Sequence, residues 1–121
     1  MNTRVLIVDD SLYMRTLIRE ALEQNGYEVV GQAANGESAI DLALELNPDL
    51  ITLDNILPDM LGIDILKTLR EEGITAKILM ISAVGQQSVV ENAIQNGADD
   101  YLIKPFTTEQ LLEATEKVVL L

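Results

Sequence analysis

Three short apolar runs in this chain each stop at charged side chains, and that punctuation constrains the fold more than any other feature. Val5-Leu6-Ile7-Val8 meets Asp9-Asp10, Leu50-Ile51-Thr52-Leu53 meets Asp54, and Tyr101-Leu102-Ile103 meets Lys104-Pro105. Runs of this kind, apolar without alternation, suit strands buried on both faces, as in a parallel sheet covered by helices. Parallel neighbours end together, so Asp9, Asp10, Asp54 and Lys104 would emerge at one rim of one sheet although they lie far apart along the chain. Three carboxylates crowded there would raise one another's pKa unless cations held them. A hard divalent ion with the Lys104 ammonium answers that need.

The segments between the runs read as helices. Met14, Leu17, Ile18, Ala21 and Leu22 have helical spacing, with Gly26 as the stop. After a second strand over Glu28 to Gln32, Asn35 can cap a helix carrying Ala39, Ile40, Ala43 and Leu44, which Pro48 forbids to continue. Pro58 and Gly62 bracket a turn-rich loop, and Ile63, Leu66, Lys67, Leu69 and Arg70 carry a third helix ending near Gly73. Ile78 to Ile81 makes a fourth strand. Val89, Val90, Ala93 and Ile94 mark a helix stopping at Gly97, and Thr107 with Gln110 has the spacing of a capping box opening a last helix with Leu111, Ala114, Thr115 and Val118 on one side. Five βα units with right-handed crossovers describe an α/β fold, a flavodoxin-like doubly wound parallel sheet of order 2-1-3-4-5, in which strands one and three meet at the switch point.

A chain of 121 residues holds one domain, and here the single domain is expected to span residues 1–121. Without Cys or His it can build no disulfide, no thiolate or imidazole metal site and no histidine base, which leaves oxygen-only metal chemistry: magnesium, calcium or manganese. The net charge of -12 disfavours nucleic acid and anionic membranes, so protein partners are expected. No signal peptide or membrane span is legible, which points to a cytoplasmic protein.

The stretches VLIVDDS (5–11), LDNILPDMLG (53–62), ISAVGQQ (81–87) and DDYLIKPF (99–106) stand in an order that resembles bacterial response-regulator receiver domains over essentially the whole chain, and within them the free-standing chemotaxis type. The resemblance implies that Asp54 accepts a phosphoryl group, that Asp9 and Asp10 are the acidic pair for Mg2+ (or Mn2+) with Asp54 and the Ile56 main-chain carbonyl, and that Ser82, Tyr101 and Lys104 are the switch hydroxyl, switch aromatic and family lysine. It also implies a cis Lys104–Pro105 bond. Implied partners are a sensor histidine kinase of the chemotaxis type, a protein target such as the flagellar motor switch bound through the fourth helix, fifth strand and fifth helix, and a phosphatase. A monomer is expected. The donor histidine must come from another protein, since this chain has none. Ser82 would swing to the phosphoryl oxygens, and Tyr101 would enter the space it leaves.

Taken singly, these residues have ordinary readings. Asp9-Asp10 alone is a helix cap beside a solvated acid, Ser82 a strand-end hydroxyl, and Tyr101 a half-buried aromatic. Gln86 and Gln87 read equally as helix openers or partner contacts. Leu57 stands where the family often has Met, a conservative packing change, whereas Asn55 is polar where relatives are often apolar, and its role is open. Ile56 and Val84 flank the expected phosphoryl site with apolar side chains that cannot orient water, so slow self-hydrolysis is expected. Two rival functions are weighed. An aspartyl-phosphate phosphatase would want a second acid at Ile56, and a nucleotide or flavin binder would want a glycine- or hydroxyl-rich loop in place of Asp9-Asp10. Because the sequence stops soon after the last helix, a free-standing regulator is expected, with a receiver cut from a longer regulator as the alternative.

Overall fold

The computed structural model describes residues 2–121. In chain order the elements are β1 (Arg4–Val8), α1 (Leu12–Glu23), β2 (Glu28–Ala33), α2 (Gly36–Leu46), β3 (Leu50–Leu53), α3 (Gly62–Glu71), β4 (Lys77–Ser82), α4 (Gln87–Gln95), β5 (Asp100–Ile103) and α5 (Thr108–Val119). All strand pairs are parallel, and the sheet has the order β2-β1-β3-β4-β5, as the strand and helix pattern required.

The two faces of the sheet bury different side chains because successive residues of a strand point opposite ways. Val5, Ile7, Leu50, Leu79 and Ile81 pack with Ile18 and Leu22 of α1 and Leu111 and Val118 of α5. Leu6, Val8, Ile51, Leu53, Ile78 and Met80 pack on the other side with Ala39 and Ala43 of α2, Ile65, Leu66 and Leu69 of α3 and Ala93 of α4. Truncating one of these wholly buried leucines to Ala would cost about 2–5 kcal/mol. A stiff core of this kind holds the strand ends in register.

Three helices start where their own sequence says. The Ser11 side chain accepts the Met14 N–H, Asn35 accepts the Ser38 N–H, and Thr107 with Gln110 forms a reciprocal capping box. Asn47, at φ 46°, closes α2 in a left-handed turn just before Pro48.

Leu44 and Ile94 lie on their expected helices but are 46 % and 43 % exposed, because α2 and α4 bury only a narrow stripe of small residues. One boundary needs correction. Gly62 belongs to α3 as its first residue, not to the preceding loop. The reason is steric: a Cβ there would lie 2.2 Å from the Asp54 carbonyl oxygen and 2.8 Å from Asn55 Cα. Only glycine lets the helix start that close to the end of β3.

Candidate functional site

β1 and β3 are adjacent with Val8 opposite Leu53, so the residues that follow, Asp9 and Asp54, leave the sheet side by side. β5 lies two strands from β3, and Lys104 reaches back across the rim from its end. The Lys104 main-chain N–H donates to the Ser82 carbonyl at 2.9 Å, and the Lys104–Pro105 peptide bond is cis. The Lys104 ammonium lies 2.7 Å from Asp9 Oδ2 and 3.4 Å from Asp54 Oδ2. Asp9 is fixed further: its Oδ1 accepts the Ser11 N–H, and its main-chain oxygen accepts from the Arg15 guanidinium at 2.7 Å. Asp9 and Asp54 are buried while Asp10 is exposed, and one carboxylate oxygen from each lies within 4.8 Å of the others.

Burial raises the Asp54 pKa above its ordinary value, and Asp9 pushes the same way; Lys104 and the Ile56 N–H, which donates to Asp54 Oδ1, pull it down without cancelling the rise. For Lys104 burial favours the neutral form, but the hydrogen bond to Asp9 and the charges of Asp54 and Asp9 outweigh it and hold the ammonium above its usual pKa. The lysine is therefore a fixed cation. One ammonium against three acids still leaves the rim negative, and the donors are all oxygen. Magnesium fits such a set, preferring a few carboxylates and its own waters, and Asp9, Asp10 and Asp54 are the side chains that would hold it.

Ser82 and Tyr101 are both bonded to one residue, Val84, through its N–H and its carbonyl respectively. The buried Ser82 Oγ accepts the Val84 N–H at 3.1 Å, and the Tyr101 hydroxyl donates to the Val84 carbonyl. Tyr101 thus reaches the β4–α4 loop while Ser82 is bonded to the same loop. Gln86 is the residue before α4 and gives it no side-chain cap; the Gln87 side chain donates to Glu91 at 2.9 Å.

Two residues of the β3–α3 loop have roles that the sequence reading did not assign. Asp59 accepts the Gly36 and Glu37 N–H groups at 2.7 and 3.0 Å, which ties the loop to the start of α2 and holds its carboxyl below the usual range. Asn55, whose role the sequence left open, is buried; its carbonyl accepts the Gly62 N–H and its side chain the Ile63 N–H. Neither partner lies at a spacing that a local motif would reveal.

Fold and site together define a doubly wound α/β protein with an acid–lysine cluster at the switch point of its sheet. Residues 5–116 match the response regulator receiver domain family, and the chain belongs to it. It is 46 % identical to the chemotaxis protein CheY of Bacillus subtilis over 98 % of this chain and 99 % of that one. It is equally identical to the nitrate/nitrite response regulator NarP of Escherichia coli, over 92 % of this chain but only 52 % of NarP. Among solved structures, the CheX–CheY–BeF3–Mg complex of Borrelia burgdorferi superposes with a TM-score of 0.92 at 31 % identity, over 96 % of this chain and 88 % of that one. The protein is thus a CheY-like receiver domain of two-component signalling, a class of signalling modules. Among the described residues no helix is long and apolar enough to cross a membrane.

Proposed function

We propose that this protein is a phosphoryl-operated binding switch that takes its phosphoryl group from the histidine of a sensor kinase onto Asp54. The observation that carries the reading is the convergence of Asp9, Asp10, Asp54 and Lys104, with the ammonium 2.7 and 3.4 Å from two of the acids. An Asp54 carboxylate oxygen attacks the phosphorus, the new P–O bond forms as the P–N bond breaks, and the imidazole leaves and takes up a proton. Asp9 holds Lys104 so that its charge faces the transferring oxygens, where a preorganised cation counts most. Magnesium, when bound, supplies further neutralisation of those oxygens. Three carboxylates balance that ion plus Lys104; a phosphoryl on Asp54 leaves an excess of about one negative charge, which draws donors such as the Ser82 hydroxyl.

The readout face on this proposal is α4, β5 and α5. A groove of about 590 Å³ there is lined by Tyr101, Lys104, Gln110, Glu113 and Lys117 among others, and Lys104, paired with Asp9 and Asp54, links it to the acid cluster. A chemotaxis-type kinase, a target such as the flagellar motor switch, a phosphatase partner and a cytoplasmic setting are supported by the similarity to CheY, which one solved structure contains in complex with CheX. The match to NarP over half its length favours one second reading, in which this receiver belongs to a longer regulator. Ile56, 55 % exposed, and Val84 offer no group to orient an attacking water, which supports slow loss of the phosphoryl. Incubation with acetyl phosphate and magnesium, followed by intact mass, tests the core reading. A single phosphoryl adduct is expected on the wild type and none on Asp54→Asn; an adduct on both, or on neither, would refute it.

A further inference from the structure

α3 differs from α1, α2 and α5 in having no cap of its own. Leu61, which precedes it, offers no side-chain acceptor, and the first N–H groups of a helix need partners from elsewhere. They find them on the residue after Asp54. The Gly62 N–H donates to the Asn55 carbonyl at 2.6 Å, and the Ile63 N–H donates to Asn55 Oδ1 at 3.3 Å. Asn55 is 8 % exposed, so these bonds are sheltered from water. The first residue of α3 also lies directly against the Asp54 carbonyl, as the forbidden Cβ at Gly62 demonstrates. Behind, the Asp54 N–H is bonded to the Val8 carbonyl at 3.0 Å. The Asp54 main chain is pinned on one side by the sheet and on the other by the helix.

We propose that Asn55 is a positioning residue for the phosphoryl acceptor, clamping the start of α3 onto the Asp54–Asn55 peptide and thereby fixing the direction of the Asp54 carboxylate. The inference rests on Asp54 being the acceptor. Its physical content is that in-line attack tolerates little drift, and the 3.4 Å contact between Lys104 and Asp54 holds only while the main chain under Asp54 stays put. An apolar side chain of the same size fills the space but leaves the Ile63 N–H without its acceptor, so the helix start loosens exactly one peptide beyond the reacting group. Asn55→Leu makes that change with no new charge.

The test compares wild type and Asn55→Leu as purified full chains, with acetyl phosphate as donor, timed quenching, intact mass and a magnesium titration, alongside hydrogen exchange at the Ile63 amide. The expected result is faster exchange at Ile63 and a phosphorylation rate constant at saturating magnesium reduced roughly three- to tenfold, the scale of one lost hydrogen bond, with the half-saturating magnesium concentration within about twofold of wild type. Circular dichroism and the denaturant midpoint report folding separately: a merely structural role would shift the midpoint and leave the rate constant of the folded protein alone. An unchanged rate constant despite faster exchange at Ile63 overturns the proposal, as does a slowing that disappears when more magnesium is added. If the wild type itself takes up no phosphoryl group, the acceptor assignment for Asp54 fails instead, and the two failures cannot be confused.

Discussion

The two ends of the sheet both gather charged groups, and they treat them in opposite ways. At the amino end Arg70 donates to the carbonyls of Gly97, Ile74 and Ala76 and pairs with Asp99 at 3.3 Å, while Asp99 also accepts the Ile78 N–H. Nearby, Asp49 accepts the main-chain N–H of Arg4, whose guanidinium donates to the Asn47 carbonyl. Acid and base are matched there, and the hydrogen bonds join the ends of α3 and α4 to β4. At the carboxyl end Asp9, Asp10 and Asp54 share the single ammonium of Lys104. The first arrangement is what a fold does with charge when stability is the only demand. The second leaves a deficit of positive charge that a ligand must supply, which is why perturbed groups gather at such places.

The comparison breaks if charges at the two ends can be removed with the same result. The largest effect is expected at the carboxyl end. Lys104→Met should slow phosphoryl uptake from acetyl phosphate by about a hundredfold or more, the scale of losing one preorganised charge at a transition state, with far-ultraviolet circular dichroism unchanged. Near-wild-type uptake by this variant would mean that the contacts at 2.7 and 3.4 Å are structural, like those of Arg70.

Arg70→Met is the mirror experiment. Its side chain is mostly buried, and its loss leaves three carbonyls without that donor and the Asp99 carboxylate without its cation, with only the Ile78 N–H still bonded to it. A loss of about 2–4 kcal/mol is expected in urea unfolding, with the phosphorylation rate constant of the folded protein within twofold of wild type. A large change in that rate constant would show the two rims to be mechanically coupled.

What the sequence made legible divides along the same line. Strand ends, the capping residues Asn35 and Thr107 and the convergence of Asp9, Asp54 and Lys104 could all be read because each depends on a local run or on the known order of parallel strands. Arg70 with Gly97, Asp59 with α2 and Asn55 with α3 could not. These partners sit 27, 22 to 23 and 8 residues apart, at spacings set by how helices pack and not by any period of the chain. Nor does the sequence give any view of Val84, whose N–H bonds to Ser82 and whose carbonyl bonds to the Tyr101 hydroxyl.

A smaller effect, opposite in sign to that at Arg70, is expected from Asp54→Asn on stability. Burial raises the folded-state pKa of Asp54 above its ordinary 3.8, so over the window between the two values the folded chain holds the proton more tightly than the unfolded chain. The group's contribution is therefore most favourable below 3.8 and is lost as pH rises through the raised value. Asp54→Asn should be more stable than wild type at neutral pH, by a margin that shrinks toward zero on acidification. A margin that grew as pH fell would mean that Lys104 outweighs burial, and the carboxyl rim would then be as well balanced as the amino one.

Thr52, two residues before Asp54 on β3, sharpens the contrast at the smallest scale. It is buried in register with Ile7 and Leu79, and its hydroxyl has no hydrogen-bond partner among the described residues. An unsatisfied hydroxyl in an apolar layer costs free energy that an isosteric methyl does not, so Thr52→Val should gain about 1 kcal/mol, read as a higher denaturant midpoint at unchanged slope. Because the side chain touches neither the acids nor Lys104 by any hydrogen bond, phosphoryl uptake should stay within twofold. A stabilised variant with altered uptake would place the cost of Thr52 alongside that of Asp54, as a polar group kept for the chemistry at the strand end; unchanged uptake confines the functional deficit to the rim itself.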